Sequence, residues 1–150
     1  MTIAIGADHA GVQLKQVVIG HLAEMGLESE DFGTHDEEAC DYPDIAEAVA
    51  RAVAGGEYEL GVLICGSGVG MSMSANKVRG AYAALCCHQY AAETARAHTG
   101  ANILCMGARV VGTELAKAIV TTFVRTPVSG EERHVRRRTK VERLTAGNGQ

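Results

Sequence analysis

The sequence predicts an α/β protein: a single-domain, three-layer α/β/α sandwich around a parallel sheet. Three observations predict it. Short apolar runs alternate with stretches of helical periodicity along the chain. The clearest runs, Thr2–Ala7 and Leu60–Cys65, are apolar almost throughout, as strands covered on both faces are. Glycines cluster just beyond such runs, where strand-to-helix turns belong.

Each element has its own signal. Thr2–Ala7 reads as a buried strand. Leu14, Val18, Leu22 and Met25 then recur at helical spacing, with Gly26 placed to end the helix. Leu27–Phe32 is a weaker strand. Asp41-Tyr42-Pro43-Asp44 opens a second helix, with Ile45, Val49 and Ala52 on one face and Gly55-Gly56 after it. Leu60–Cys65 is the next strand. Gly66-Ser67-Gly68-Val69-Gly70 follows and leads into a helix ending near Lys77. Ala81–Leu85 is a strand, His88–His98 a helix and Asn102–Met106 a strand. Leu115, Ile119 and Thr122 mark a further helix, and Arg133–Leu144 a last, basic one. Strict alternation of strand and helix implies a Rossmann/flavodoxin-like parallel sheet with helices on both faces. One domain over 1–144 is expected, with a disordered tail at 145–150.

Length and composition narrow the function classes. A chain of 150 residues buries enough surface to fold without metal or disulfide. Five cysteines, Cys40, Cys65, Cys86, Cys87 and Cys105, form no CxxC pair, so free thiols in a reducing cytoplasm are expected. The start of the chain does not read as a signal peptide. No apolar run reaches the roughly 18 residues a membrane span needs. Six of the 14 basic residues lie between Arg133 and Arg143 with one acid, so that segment carries +5 and the remainder −9. Such a segment suits an anionic ligand. Nucleic acid is disfavoured, because aromatics are only 4% and no recognition motif is present.

In a parallel sheet, ligands bind beyond the carboxyl ends of the strands. The residues there are Asp8-His9, Cys65–Gly70, Cys86–His88 and Gly107–Arg109. The Gly66–Gly70 loop holds three glycines in five residues, more than one tight turn needs, and exposes backbone N–H groups to an anion. It is no dinucleotide fingerprint: GxGxxG belongs after the first strand, where Gly6–Gly11 lacks the central glycine. It is no P-loop either, since no GK[ST] occurs. Cys65 closes the strand before this loop. A thiol facing a helix N-terminus is favoured as the thiolate, a base or nucleophile. The plainer alternative is a small core residue. Asp8 offers a ligand contact or a helix cap. His98 sits in the last turn of a helix, which dipole effects alone favour. Arg109, Arg133, Arg136, Arg137 and Arg138 are candidate phosphate clamps, or part of a solvated basic helix.

The segments IGADHAG, DYPDIA, LICGSGVGMSMSANKVRG, ARAH and NILCMGARVVG, with the RHVRR run, resemble the ribose-5-phosphate isomerase B family. That family includes galactose-6-phosphate isomerase subunits, and the resemblance covers residues 3–143. CGSGVG followed by ANK is its most specific part. It implies an aldose–ketose isomerase of a small phosphorylated sugar, with ribose 5-phosphate the first candidate. It implies that Cys65 moves a proton between C1 and C2 through an enediolate. Gly66, Gly68, Val69 and Gly70 would supply the oxyanion site, and Ser67 would shuttle the O1/O2 proton. His98 would open the sugar ring. Asp8 would contact ring hydroxyls, His9 the phosphate, and Tyr42 would line the pocket. Arg109, Arg133 and Arg137 would hold the phosphate, with His134 nearby. Thr99 departs from the pattern, since many relatives with five-carbon substrates carry Asn there. The resemblance implies no metal and no organic cofactor. It implies a homodimer, or a dimer of dimers, with shared active sites. The competing reading is a non-catalytic sugar-phosphate-binding module, which needs neither Cys65 nor His98.

Overall fold

A computed structural model describes residues 1–146. The strands are β1 (Thr2–Ala7), β2 (Glu28–Asp31), β3 (Leu60–Cys65), β4 (Ala83–Leu85) and β5 (Ile103–Gly107). All pair in parallel, in the order β2-β1-β3-β5-β4. The helices are α1 (Val12–Glu24), α2 (Tyr42–Ala54), α3 (Val69–Ala75), α4 (Gln89–Thr94), α5 (Thr113–Arg125) and α6 (Glu132–Ala146). The three-layer α/β architecture is the one expected. The sheet exchanges the last two strands of the flavodoxin order.

Alternate strand residues feed two cores, one per face. Ile3, Ile5, Val62, Ile64, Leu104 and Met106 pack with Leu14, Val18 and Leu22 of α1 and with Ile119, Val120 and Phe123 of α5. Ala4, Leu63, Ile103 and Cys105 pack with Val49 and Val53 of α2 and with Met71 of α3. All six residues of β3 are buried, which explains its unbroken apolar run. The sheet changes winding direction beside it. The chain leaves β1 toward β2 on one side and leaves β3 toward β4 on the other. The carboxyl ends of β1, β3 and β5 therefore border the crevice where ligands bind in such sheets.

Several boundaries differ from the sequence reading. β2 is the acidic stretch Glu-Ser-Glu-Asp, shorter than Leu27–Phe32, and it is a strand because it pairs with β1 from Thr2↔Glu28 to Ile5↔Asp31. β4 begins at Ala83, and Asn76 replaces a strand partner there, with its side chain both donating to and accepting from the Ala83 backbone. β5 is displaced by one residue, to Ile103–Gly107. The helix expected over His88–His98 is α4 plus a separate π-helical turn, Ala95–Thr99, with His88 as N-cap. Gly100 ends the turn at φ +69°. α6 runs to Ala146, past the expected domain end at 144; of the tail expected over 145–150, 147–150 lie outside the described residues.

Lys15 is the unexpected core residue. Its side chain is fully buried on α1 and donates to Asp31 Oδ1 at 2.5 Å and to the Thr34 carbonyl at 2.6 Å. A buried ammonium is tolerated only when paired in this way. The pair ties the segment after β2 to α1. That segment also hydrogen-bonds β1, through Ala7 N–H to the Gly33 carbonyl and Thr34 N–H to the Ala7 carbonyl.

Candidate active site

The structure sorts the predicted residues into two groups. The first lies at the carboxyl ends of the three central strands. Cys65 closes β3, 4% exposed, and its Sγ accepts the Gly68 N–H at 3.1 Å. Gly68 takes φ +79°, and a Cβ there would lie 2.4 Å from Leu85 Cδ1 and 2.8 Å from the Met106 carbonyl carbon. Only glycine fits both the left-handed backbone and the space. The turn leaves the Ser67 and Gly70 N–H groups without an acceptor among the described residues. Ser67 is exposed, and its Oγ accepts the Val69 N–H at 3.3 Å.

Neighbouring loops close around this turn. The Arg109 guanidinium rests against Gly66, where a Cβ would come within 3.3 Å of Nη1, and Arg109 N–H donates to the Gly66 carbonyl. Tyr42, the first residue of α2, lays its ring over Gly70, where a Cβ would come within 2.6 Å of ring carbons. Asp8 is buried beyond β1, and its carboxylate accepts the Ala10 N–H at 3.0 Å. It does not cap α1, whose N-cap is Gly11. His9 Nδ1 accepts the Cys40 N–H at 3.3 Å, which leaves the ring proton on Nε2 as a donor.

The second group stands beyond edge strand β4, on the π turn and α6. The extra residue of a π turn breaks helical phase, and His98 and Thr99 face outward, exposed. Arg96 anchors the turn by donating to the Ala101 carbonyl at 2.6 Å and lying 5.5 Å over the Phe123 ring. The Thr99 hydroxyl donates to the Ala95 carbonyl at 2.6 Å. His98 stacks on His134 of α6, and Arg133 and Arg137 are exposed on that helix. Arg138, a candidate clamp by sequence, is used structurally, donating to the His98 and Ser129 carbonyls. No hydrogen bond, ion pair or ring contact among the described residues joins the two groups.

The other cysteines are not equivalent to Cys65. Burial pushes the Cys86 thiol up to about 11, with the neighbouring Cys87 adding to it. Burial pushes Cys105 further up, helped by Cys65 and Cys86. Both remain core thiols at neutral pH. Sequence reasoning missed Lys15, Asn76 and the histidine stack. Lys15 and the histidine stack depend on partners distant in the chain, and Asn76 on the Ala83 backbone seven residues on.

The Cys65 thiol and the Arg109 guanidinium thus lie on either side of the Gly66 turn, while the Gly68 and Val69 N–H groups, named as oxyanion donors by the resemblance, are engaged with Cys65 Sγ and Ser67 Oγ. Residues 3–141 match the model of the family described as Ribose/Galactose Isomerase. The chain belongs to the ribose/galactose isomerase family. It is accordingly an isomerase. It is 46% identical over 144 residues to ribose-5-phosphate isomerase B of Escherichia coli (strain K12), covering 96% of this chain and 94% of that one. It is 41% identical to the D-erythrulose-4-phosphate isomerase of Pectobacterium atrosepticum, over 83% of this chain and 82% of the relative. The solved structure of the Clostridium thermocellum ribose-5-phosphate isomerase B superposes with a TM-score of 0.95 at 45% identity, covering 98% of this chain and 99% of that one. Family members thus share this fold while their named substrates differ in carbon number.

Proposed function

We propose that this isomerase interconverts ribose 5-phosphate and ribulose 5-phosphate through an enediolate. Cys65 takes the C2 proton of the open-chain aldose and returns it to C1. The Ser67 and Gly70 amides hold the charge that develops on the oxygens, as preorganised donors do best. Ser67 Oγ carries the proton from O2 to O1. Asp8 and Tyr42 hold the sugar, while His9 and Arg109 hold its phosphate. The observation that supports this most is Cys65 Sγ, buried at the strand end and facing an amide, beside donors left unpaired.

His98, Thr99, Arg133 and Arg137 complete the pocket from a second copy of the chain. Two features support a second copy. His134 is the only buried side chain on α6 between Glu132 and Leu144, and an isolated helix of this length is marginal in water. Leu85, Val128 and Val141 stand exposed along the β4 edge, an apolar surface that another subunit would cover. His98 opens the closed sugar by taking the O1 proton and returning it to the ring oxygen.

Two experiments test this reading. In a panel of phosphorylated aldoses and ketoses assayed without added metal, kcat/KM should be highest for ribose 5-phosphate. Thr99 leaves this open to contradiction: its hydroxyl proton is already engaged with Ala95, so a four-carbon substrate with higher kcat/KM would reassign the sugar. Second, His98→Ala should slow turnover of the cyclic aldose by roughly 10²–10⁴-fold. It should leave the pentulose 5-phosphate nearly unchanged, because the phosphorylated O5 cannot close a furanose. Equal losses on both would reject ring opening by His98.

A further inference from the structure

A helix on a protein surface normally docks through an apolar stripe. α6 docks through a buried histidine, with Arg138 donating to the His98 and Ser129 carbonyls beside it. The His134 ring is buried, and it lies on the His98 ring with centroids 4.2 Å apart and planes 6° apart. Among the described residues, His134 Nε2 is buried without a hydrogen-bond partner; Glu131 Oε2, at 3.9 Å, is beyond reach of one. The ring is therefore placed there at the expense of a polar atom, which packing alone would not select.

The charges around it explain why the stack holds. Burial, His98 and the guanidinium groups of Arg133 and Arg137 all lower the proton affinity of His134, and Glu131 opposes them. These influences favour the neutral His134 ring, which can lie flat on another imidazole. His98 is otherwise exposed. Its carbonyl is held by Arg138 and its ring by His134.

We propose that His134 is a positioning residue: its stacked ring sets the plane of the His98 imidazole for the proton transfer that opens the sugar. This rests on the ring-opening reading of His98 given above. In that step His98 takes the O1 proton as the C1–O ring bond breaks and C1=O forms. The ring oxygen then recovers the proton, so no net charge or electron is gained. The rival role is that of one more phosphate ligand beside Arg133 and Arg137, and it predicts a different kinetic signature.

The test compares full-length His134→Ala and His134→Phe, with melting curves, on ribose 5-phosphate and on ribulose 5-phosphate. A small misplacement of a catalytic group can cost about a hundredfold. His134→Ala should therefore lower kcat on the cyclic aldose by roughly 10- to 100-fold, with KM nearly constant and the ketose affected less than about twofold. His134→Phe keeps a flat ring but no donor, and should recover most of that kcat. A rise of KM on both sugars with kcat retained would overturn the proposal in favour of phosphate binding. Wild-type kcat in His134→Ala, or no recovery in a folded His134→Phe, would overturn it outright. Should the alanine variant unfold, the phenylalanine variant decides alone, with kcat on the aldose near wild type expected and a selective loss disproving the positioning role. His98→Ala, run alongside, reports separately on the reading beneath it: equal loss on both sugars there removes the ring-opening role and this proposal with it.

Discussion

Cys65→Ala is expected to keep the fold and lose isomerisation. The substitution removes one buried sulfur at the end of β3, a change comparable to a methyl group, so roughly 1 kcal/mol of stability is at stake. The proton acceptor disappears entirely. A general base contributes about 10²–10⁴-fold, so more than a hundredth of wild-type kcat surviving would mean that another group takes the proton. Cys65→Ser should fail as well, because a hydroxyl is a far weaker acid than a thiol. Alkylation gives an independent reading. Cys86 and Cys105 are buried thiols with raised pKa and should resist iodoacetamide near neutral pH. Inactivation should follow modification of Cys65, and substrate should slow it. Labelling of exposed Cys87 alone, with full inactivation, would contradict the assignment.

Mixing two dead variants should restore activity. In the proposed dimer each pocket joins the Cys65 loop of one chain to Arg137 of the other. Removing one charge-assisted contact to phosphate costs roughly 1.5–3 kcal/mol, hence about ten- to a hundredfold or more in KM. Lost orientation lowers kcat as well. A Cys65→Ala chain paired with an Arg137→Ala chain forms one pocket carrying both defects and one carrying neither. Random pairing makes about half the dimers mixed, so co-refolding should recover up to about a quarter of wild-type activity; these fractions are pairing arithmetic for interfaces in which each pocket takes residues from two chains. Heterodimers proven by mass but inactive would mean that each pocket is built within one chain. The separation of His98 and Arg137 from the Cys65 loop within the chain is the reason to expect recovery.

Much of the Cys65 group was legible in the sequence because its signals are local. Gly66-Ser67-Gly68 after an apolar strand indicates a tight turn with exposed amides whatever the rest of the chain does, and the turn is there, with Gly68 at positive φ. Asp8, His9 and Arg109 were found by the rule that parallel strands present their carboxyl ends to ligands, and they lie there. The His98 group was legible only in part. Its residues could be named, but the phase break at Ala95–Thr99 that turns His98 outward leaves no pattern in an alanine-rich helix.

By itself the sequence determined the alternation of strand and helix, the buried central strand and the chemistry placed at its end. Hydrophobic period and glycine placement act over a few residues, and no competing contact overrides them in β1 and β3. Tertiary structure alone decided the rest. The sequence marked Leu27–Phe32 as a weak strand, and pairing with β1 fixed its extent at Glu28–Asp31. Lys15 entered the core because Asp31 and Thr34 met its ammonium. The order β2-β1-β3-β5-β4 and the stack of His134 on His98 likewise depend on segments brought together from far apart in the chain, with energies that exist only once those partners meet.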